Sequence, residues 1–265
     1  MKAFDRDALK IALKDKVIEA YKKRISPPDL YSNTLDCFSA VIDATLLGKS
    51  LAEWRKDVEE PRQTQKSIQN IVGELHEIVI GTIAGYENLA VGKVIDILSD
   101  KQRLIAEIKN KHNTTKGNFK VEIYDALKSQ LDENYRGYTG YYVEILPPSS
   151  CKKYDKPFTP SDNKIKDKSE KRRPSNEKIR LIDGRSFYAK ITGHANAIDE
   201  LYNELPFILR EILKSHDSAF NFRDLGEPLR TEMFSKAFLW LLLWVLIMNM
   251  DMNMDMDMDM DMDMD

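Results

Sequence analysis

Two patterns in the sequence predict an α/β (α+β) protein with a helical N-terminal part and a sheet-containing core. Over residues 1–88, apolar residues recur at three- and four-residue spacing, which is typical of amphipathic helices. From residue 89 onward, short runs rich in Ile, Leu and Val alternate with helical patterns, which indicates strands with helices between them. We therefore expect residues 1–236 to form a single domain, divided into an N-terminal part (1–88) and a core (89–236).

The N-terminal part is predicted to contain three amphipathic helices. The first covers residues 4–24, and the segment Ser26-Pro27-Pro28-Asp29 ends it, with Ser26 or Asp29 as the N-cap of the second. The second helix runs to Gly48, and the third begins after Pro61. The apolar positions of the second helix are Leu30, Leu35, Phe38, Val41 and Ile42.

One face of the third helix carries Gly73, Glu77 and Gly81, which are spaced four residues apart. Two glycines beside a carboxylate would let another backbone approach closely, including that of a nucleic acid, and Glu77 is then a candidate further acid for a metal site. The alternative is an exposed glutamate on a helix whose glycines pack against the sheet. The sequence leaves both interpretations open.

A β-hairpin is predicted from Val91–Leu98 and Arg103–Lys109, because both runs are rich in Ile, Leu and Val and a short polar segment separates them. If the loop is Asp100–Arg103, Ser99 lies opposite Leu104. Counting outward from this pair fixes the position of every other residue in the hairpin.

The same register would bring two carboxylates and an ammonium group together. Asp96 then faces Glu107, with the Cβ atoms of such a pair about 4.5–5.5 Å apart, and Lys109 lies on the same face. Adjacent carboxylates repel each other, and a Mg²⁺ ion removes that repulsion, since hard cations take carboxylate oxygens as ligands. The ion would polarise a phosphate and activate a water, while Lys109 would orient or deprotonate that water or neutralise the charge developing on phosphorus. The alternative is an ordinary hairpin with solvated charges.

A helix is predicted at residues 113–136, with Asn113 or Thr114 as its N-cap. Its apolar stripe consists of Phe119, Ile123, Leu127 and Leu131. Because helix N-termini bind phosphates, we expect the polar residues around its start to contact a DNA backbone. These expected DNA contacts are Lys111, His112, Asn113, Thr114 and Lys116.

The remainder of the core is predicted to hold two more strands, Thr139–Leu146 and Ile179–Ile182, separated by a basic segment at 152–180. Prolines interrupt that segment, which is either a solvated loop or an arm that becomes ordered on DNA. An Asp183-Gly184 turn follows the second strand. Residues 187–214 are then expected to be largely helical, with breaks at Gly193 and Pro206.

The composition indicates a globular cytoplasmic protein with a mildly basic folded part. The formal charge of −3 includes seven Asp within residues 248–265, and without them the balance would be +4. The two cysteines, Cys37 and Cys151, lack CxxC spacing, so neither a disulfide framework nor a structural zinc site is expected, and Cys37 is predicted to be a packed thiol. The N-terminus lacks the apolar core of a signal peptide.

Residues 237–265 combine an apolar run with a Met-Asp repeat and are expected to be disordered. The apolar part, Phe238–Met248, is about half as long as a membrane span of roughly 20 residues. We interpret it as a buried or misplaced helix and expect no membrane partner.

Three blocks of the sequence together resemble one enzyme family. AEIKNKHNTTKG (Ala106–Gly117) joins the Glu-x-Lys motif to the polar run after it, and KIRLIDGRSFYAKITG (Lys178–Gly193) and GELHEIVIG (Gly73–Gly81) add weaker similarity. With these blocks the chain resembles the type II restriction endonucleases that cleave GGNCC, within the PD-(D/E)xK nuclease superfamily. The resemblance covers roughly residues 65–235.

The resemblance implies a restriction-endonuclease-like core with a mixed central sheet flanked by helices. It also implies Mg²⁺-dependent hydrolysis of phosphodiester bonds in double-stranded DNA by a homodimer. A cognate DNA methyltransferase would be the genetic partner in a restriction-modification system. The alternatives are a structure-specific repair or recombination nuclease, and a non-catalytic DNA-binding protein.

Carried over by position, Asp96 and Glu107 would be metal ligands, Lys109 the catalytic lysine and Glu77 an auxiliary acid. Ile95 stands where the superfamily usually has Pro, which leaves Asp100 as a rival to Asp96, although Asp100 lies in the predicted turn. Base reading often uses Arg or Lys, and the expected readers are Arg180, Arg185 and Lys190.

Overall fold

The chain folds around a six-stranded mixed sheet. The structure is a computed structural model, which describes residues 1–26, 35–89, 95–113, 117–148, 153–160 and 173–238. The strands are β1 (Glu87–Asn88), β2 (Ile97–Ser99), β3 (Leu104–Lys111), β4 (Thr139–Leu146), β5 (Asp155–Pro157) and β6 (Ile179–Asp183). The helices are α1 (Arg6–Ile25), α2 (Cys37–Leu46), α3 (Leu51–Trp54), α4 (Glu60–Gly81), α5 (Gly117–Glu133), α6 (Gly184–Thr192), α7 (Ala197–His216) and α8 (Glu227–Phe238). A π-helical turn, Arg55–Glu59, joins α3 to α4.

The strand order is β1-β2-β3-β4-β6-β5, and it confirms the predicted fold class of a mixed sheet flanked by helices. β1, β2 and β3 form an antiparallel meander, whereas β3, β4 and β6 run parallel, and β5 pairs antiparallel with β6 at the far edge. Helix α5 connects the parallel strands β3 and β4, which need a crossover connection. The carboxyl ends of β3, β4 and β6 therefore meet at one edge of the sheet.

The two faces of the sheet pack against different helices, and this decides which way each β3 side chain points. On one face, Leu104, Ala106 and Ile108 pack with residues of α1, α4, α6 and α7. On the other face, Ile105 packs with α5. Glu107 and Lys109 alternate with the first set, so they belong to the α5 face.

The first predicted helix is confirmed as α1, and the strand predicted at Thr139–Leu146 is confirmed as β4, whose limits match residue for residue. The predicted hairpin is confirmed as β2–β3, but β2 is shorter than the predicted Val91–Leu98: it covers Ile97–Ser99, and residues 90–94 lie outside the described part. The prediction for the start of α2 is wrong. Ser26 ends α1, its N–H donating to the Lys22 carbonyl, while the Asp36 carboxylate accepts from the Phe38 and Ser39 N–H groups and caps α2. Asp29, the other predicted cap, lies outside the described residues.

The orientation of α2 also differs from the prediction. Its small residues Ala40 and Ala44 are buried against Trp54, which leaves Phe38 79% exposed and Val41 and Ile42 more than half exposed. Cys37 is exposed as well, so it is not the packed thiol that was expected. Close packing of a helix through alanines turns its large apolar residues outward.

The predicted helix at 113–136 corresponds to α5, which is described from Gly117 to Glu133; residues 114–116, including the predicted N-cap Thr114, lie outside the described part. Leu127 and Leu131 of the predicted stripe are buried, but Phe119 is 55% exposed. The basic segment contains a strand that the sequence did not predict, β5 (Asp155–Pro157), whose proline is accommodated at the sheet edge. Residues 161–172 of the predicted arm are outside the described residues.

The predicted Asp183-Gly184 turn is wrong, because Asp183 ends β6 and caps α6, its carboxylate accepting from the Ser186 N–H at 3.0 Å. Gly184 starts that helix against β4: a Cβ at this position would lie 2.5 Å from the Ile145 carbonyl oxygen, so no side chain fits. The break at Gly193 is confirmed by its left-handed φ of 74° at the end of α6.

The helix break predicted at Pro206 is wrong, since α7 continues through this residue. A proline inside a helix costs roughly 3 kcal/mol. Helix α7 buries Leu201, Ile208 and Ile212 in the core, and burying each such side chain contributes about 1.5–3 kcal/mol, which outweighs that cost.

No helix in the described part of the chain is long and apolar enough to cross a membrane. Helix α8 extends to Phe238, which is buried against the core. The remaining apolar run and the Met-Asp repeat, residues 239–265, lie outside the described residues, and the predicted domain limits stay a prediction.

Candidate active site

The β2–β3 hairpin has the register that the four-residue loop predicts. Ser99 pairs with Leu104, and the N–H of Arg103 donates to the Asp100 carbonyl to close the turn. Asp96 precedes β2 and continues the pairing, because its N–H donates to the Ala106 carbonyl at 2.9 Å. Asp96 therefore lies opposite the part of β3 that carries Glu107.

Backbone contacts hold the Asp96 carboxylate over β3. Its Oδ2 accepts a hydrogen bond from the Ile108 N–H at 2.7 Å. Ile108 stands between Glu107 and Lys109, so this bond fixes Asp96 directly above the two predicted catalytic residues. The carboxyl groups of Asp96 and Glu107 are within hydrogen-bonding reach of each other.

Glu107 and Lys109 point to the same side of β3 and form an ion pair. The Lys109 Nζ donates to Glu107 Oε1 at 2.6 Å, with 35% of the lysine side chain and 16% of the glutamate side chain exposed. The structure thus brings Asp96, Glu107 and Lys109 into one cluster at the edge where β3, β4 and β6 end.

Burial and mutual repulsion both disfavour the charged forms of the two carboxyl groups in this cluster. Burial raises the pKa of the Asp96 carboxyl, and burial followed by the charge of Asp96 raises the pKa of Glu107. Burial alone would lower the pKa of Lys109, but Glu107, Asp96 and Glu77 outweigh it and the pKa is raised. Lys109 is therefore a firmly protonated ammonium in this arrangement.

Glu77 approaches the cluster from α4. Its pKa is raised to about 7, by burial first and then by Asp96, with Lys109 opposing the shift and Glu107 adding to it. The two flanking glycines differ: one packs against the sheet, and the other leaves room for another backbone. Gly81 packs against the sheet, where an added Cβ would lie 3.0 Å from the Asn88 Cβ, whereas Gly73 faces open space. Glu77 itself is partly buried rather than exposed.

An open cavity of about 780 Å³ adjoins the cluster, between α4, the ends of β3 and β4, α7 and α8. Glu77 and Lys109 line this cavity, together with polar and apolar residues of α4, the ends of β3 and β4, and mainly apolar residues of α7 and α8. Glu77 and Lys109 are thus accessible from this cavity.

The chemistry of the donors fits a magnesium ion. Asp96 and Glu107 offer hard oxygen ligands, and Mg²⁺ is commonly held by one or two carboxylates, with water and substrate phosphate completing its shell. Within the described ranges, no set of three or more Asp, Glu, His and Cys side chains is arranged as a metal site. The charges of Asp96, Glu107 and Lys109 all influence the pKa of Glu77. Whether Glu77 joins the metal ligands stays a prediction.

Three of the predicted phosphate contacts lie at the same edge. Lys111 ends β3, the His112 N–H donates to the Leu146 carbonyl at 3.1 Å, and Asn113 is exposed in the following turn. Thr114 and Lys116 fall outside the described residues. The rival acid Asp100 is exposed in the hairpin turn and accepts from the Tyr138 hydroxyl, away from Glu107.

The predicted base readers lie apart from this cluster, in ion pairs of their own. Arg180 Nε donates to Asp155 Oδ1 at 2.5 Å, and the Lys190 Nζ lies 3.8 Å from the other oxygen of the same carboxylate. Arg185 donates to Asp199 at 2.5 Å. Contact with bases would require these pairs to open, and their role stays a prediction.

Sequence reasoning missed a polar network next to Lys109. Glu144 of β4, only 3% exposed, accepts from the Lys120 Nζ at 2.7 Å and from the Tyr154 hydroxyl at 2.5 Å. Asp183 of β6 accepts from the Tyr154 N–H at 2.7 Å. A signal existed, because Glu144 is the one charged residue in the otherwise uncharged strand TGYYVEIL.

Comparison with known proteins agrees with the resemblance noted in the sequence. The family model of the Eco47II restriction endonuclease matches residues 4–214. The type II restriction enzyme Eco47II of Escherichia coli is 37% identical over 195 residues, covering 72% of this chain and 79% of that enzyme. The type II restriction enzyme Sau96I of Staphylococcus aureus is 32% identical over 198 residues, covering 74% of each.

The matched region contains the hairpin, the α4 acid and the β6–α6 block, so it spans all of the residues gathered at the edge of the sheet. Restriction endonucleases act on DNA and generally require a divalent metal ion, which agrees with the acidic cluster. This chain belongs to the Eco47II restriction endonuclease family.

Proposed function

We propose that this protein is a type II site-specific deoxyribonuclease that hydrolyses phosphodiester bonds of double-stranded DNA with Mg²⁺, at the sequence GGNCC. The observation that carries the proposal is the convergence of Asp96, Glu107 and Lys109, with the Ile108 N–H fixing Asp96 over the other two. Such a cluster is costly for folding, since two buried carboxylates share a site. The cost is understandable if the pair binds a cation.

Asp96 and Glu107 would hold the metal ion. When bound, Mg²⁺ polarises the scissile phosphate and lowers the pKa of a water molecule. Lys109 would carry positive charge in the same site, because its raised pKa keeps the ammonium protonated. Its role is therefore to orient the attacking water and to stabilise the charge that develops on the phosphoryl oxygens, rather than to remove a proton.

Glu77 would act as the auxiliary acid. With a pKa of about 7 it exchanges a proton near neutral pH, and it lines the same cavity as Lys109. A group with this pKa can accept the proton that the attacking water releases. The direct ligands would be the hairpin carboxylates, while Glu77 acts from the opposite side.

DNA would lie along the edge formed by the ends of β3, β4 and β6. Lys111, His112 and Asn113 follow the catalytic strand there and would contact phosphates. We infer a homodimer, because a near-palindromic site presents the same surface twice, and a cognate methyltransferase that protects host DNA. A cytoplasmic location follows from a DNA substrate in the host cell.

A plasmid cleavage assay with Mg²⁺ tests the catalytic role of Lys109. Wild type should convert a plasmid with one GGNCC site into linear product, and Lys109→Ala should cut at least about 100-fold more slowly, because the transition state loses a fixed positive charge. The matched control is Lys101→Ala, which removes an exposed lysine from the turn of the same hairpin.

Two outcomes would contradict the proposal. Absence of Mg²⁺-dependent cutting by wild type would remove the nuclease function, and equal cutting by Lys109→Ala and Lys101→Ala would remove the mechanism. A plasmid without GGNCC, and one methylated at that site, should both stay intact. Cleavage of branched DNA in preference to this site would instead favour a repair nuclease.

A further inference from the structure

The network around Glu144 lies beside the catalytic strand. Glu144 pairs with Lys109 in the register of the parallel strands β3 and β4, and Asp183 pairs with Glu144 in the register of β4 and β6. Residues paired in this way point to the same face, and neighbouring strands lie about 4.8 Å apart. The carboxylate of Glu144 thus emerges one strand away from the catalytic ammonium group.

Lys120 reaches this carboxylate from the first turn of α5. Its Nζ lies 2.7 Å from Glu144 Oε1 and 5.5 Å from the centre of the Tyr142 ring. An ammonium group has three N–H donors, and Glu144 takes one of them. The Lys120 side chain remains 27% exposed, so the lysine that pairs with Glu144 is still partly open to solvent.

The other partners of Glu144 make this placement rigid. Tyr154 donates its hydroxyl to the second oxygen of Glu144, and burial together with that bond raises the pKa of Tyr154, which keeps the hydroxyl as a donor. The backbone of Tyr154 is in turn bonded to Asp183 through two hydrogen bonds. Lysine side chains usually lose conformational freedom when they bind a phosphate, and a lysine already fixed in this way loses less.

We propose that Lys120 is a DNA phosphate contact of this enzyme, held in position beside the catalytic strand by Glu144 and Tyr154. The inference rests on the proposed nuclease function, because it assumes that DNA lies along this edge. Lys120 carries the positive charge at the surface, while Glu144 and Tyr154 are positioning residues that never touch the substrate. Lys120 thus extends the phosphate-binding surface from the end of β3 to the start of α5.

The salt dependence of DNA binding tests this assignment directly. A lysine bound to a phosphate displaces a counterion, so its removal lowers the slope of log K against log salt by about one, which loss of a merely structural residue does not do. Lys120→Met removes the charge and keeps the aliphatic stem over Tyr142. Binding of a GGNCC duplex would be titrated between about 50 and 300 mM salt, in Ca²⁺ buffer that leaves the DNA intact.

The matched control is Lys128→Met on the same helix. Lys128 also pairs with a carboxylate, Asp132, at 2.6 Å, but it lies two turns further along α5 and is more exposed. We expect Lys120→Met to weaken binding on the order of fivefold and to lower the slope by about one, whereas Lys128→Met changes neither. Lys120→Arg should restore the slope, since it keeps the charge.

A Lys120→Met slope equal to that of wild type and Lys128→Met would overturn the assignment. So would a slope that Lys120→Arg fails to restore while the variant remains folded by thermal unfolding. Failure of the proposed function is distinct from either result, because wild type would then fail to cut DNA at all.

Discussion

The carboxylates of Asp96 and Glu107, on the β2–β3 hairpin, lie beside those of Glu144 and Asp183, on β4 and β6, but the two pairs differ in how many hydrogen-bond donors they receive. Glu144 accepts from an ammonium group and a hydroxyl, and Asp183 accepts from the N–H groups of Tyr154 and Ser186. By contrast, Asp96 accepts from the Ile108 N–H and Glu107 accepts from the Lys109 ammonium group, while the two carboxyl groups face each other.

The difference separates two uses of a buried charge. A carboxylate whose oxygens all find donors stabilises the fold and fixes its neighbours, as Glu144 fixes Lys120 and Tyr154. A pair of carboxylates without enough hydrogen-bond donors lowers the free energy of unfolding. Natural proteins retain such pairs at functional sites, where a bound ion or substrate balances the charge. This contrast predicts opposite effects of mutation on stability.

Removal of the satisfied carboxylate should have the largest effect on stability. Glu144→Ala leaves the Lys120 ammonium and the Tyr154 hydroxyl without their acceptor, and loss of a partner from a buried pair costs about 3–5 kcal/mol. Since Lys120 is partly solvated, we expect about 2–3 kcal/mol in a urea unfolding experiment. Glu133→Ala, which removes an exposed glutamate of α5, is the control and should change little.

Neutralising the crowded carboxylate should have the opposite sign. Asp96→Asn keeps an oxygen for the Ile108 N–H, removes the repulsion with Glu107 and should raise the free energy of unfolding on the order of 1 kcal/mol, the size expected for two like charges in a partly solvated site. The same urea experiment in EDTA measures it. A loss of stability as large as that of Glu144→Ala would show that the two sites do not differ.

The effect of Glu77 on stability should depend on pH. Its folded-state pKa of about 7 exceeds the ordinary value of 4.5, so its contribution to stability is complete below pH 4.5 and is lost as the pH rises through 7. Glu77→Gln should therefore be more stable than wild type at pH 8, and the difference should disappear near pH 4.

Urea unfolding in EDTA at the two pH values checks this dependence. Glu74→Gln, on the same helix, is the control: Glu74 pairs with Lys16 at 2.6 Å, so its replacement should give no gain at pH 8. An equal gain from both variants would assign the effect to helix charge rather than to the site.

The parts that sequence reasoning predicted correctly depend on local patterns. The register of β2 and β3 follows from a four-residue loop, and it places Asp96, Glu107 and Lys109 together without any long-range information. The limits of β4 follow from a run with a single charged residue, Glu144, between a turn and two prolines. The family resemblance then assigned roles to residues whose placement was already determined by the hairpin.

The parts that were missed depend on contacts between distant residues. Glu144 meets Lys120 and Tyr154 only because α5 and β5 pack beside β4, and no periodicity records that contact. Pro206 stays inside α7 because tertiary burial outweighs a local preference. The exposed side of α2 was predicted to be buried because apolar spacing does not reveal that Ala40 and Ala44 make the contact.

The most direct test of the central claim is whether the Asp96–Glu107 pair binds Mg²⁺ in the absence of DNA. Thermal unfolding of wild type should shift upward as Mg²⁺ is added, because an ion that binds only the folded state stabilises it by mass action. Asp96→Asn should lose most of that shift, while Glu144→Gln should keep it. An equal shift in wild type and Asp96→Asn would contradict the account.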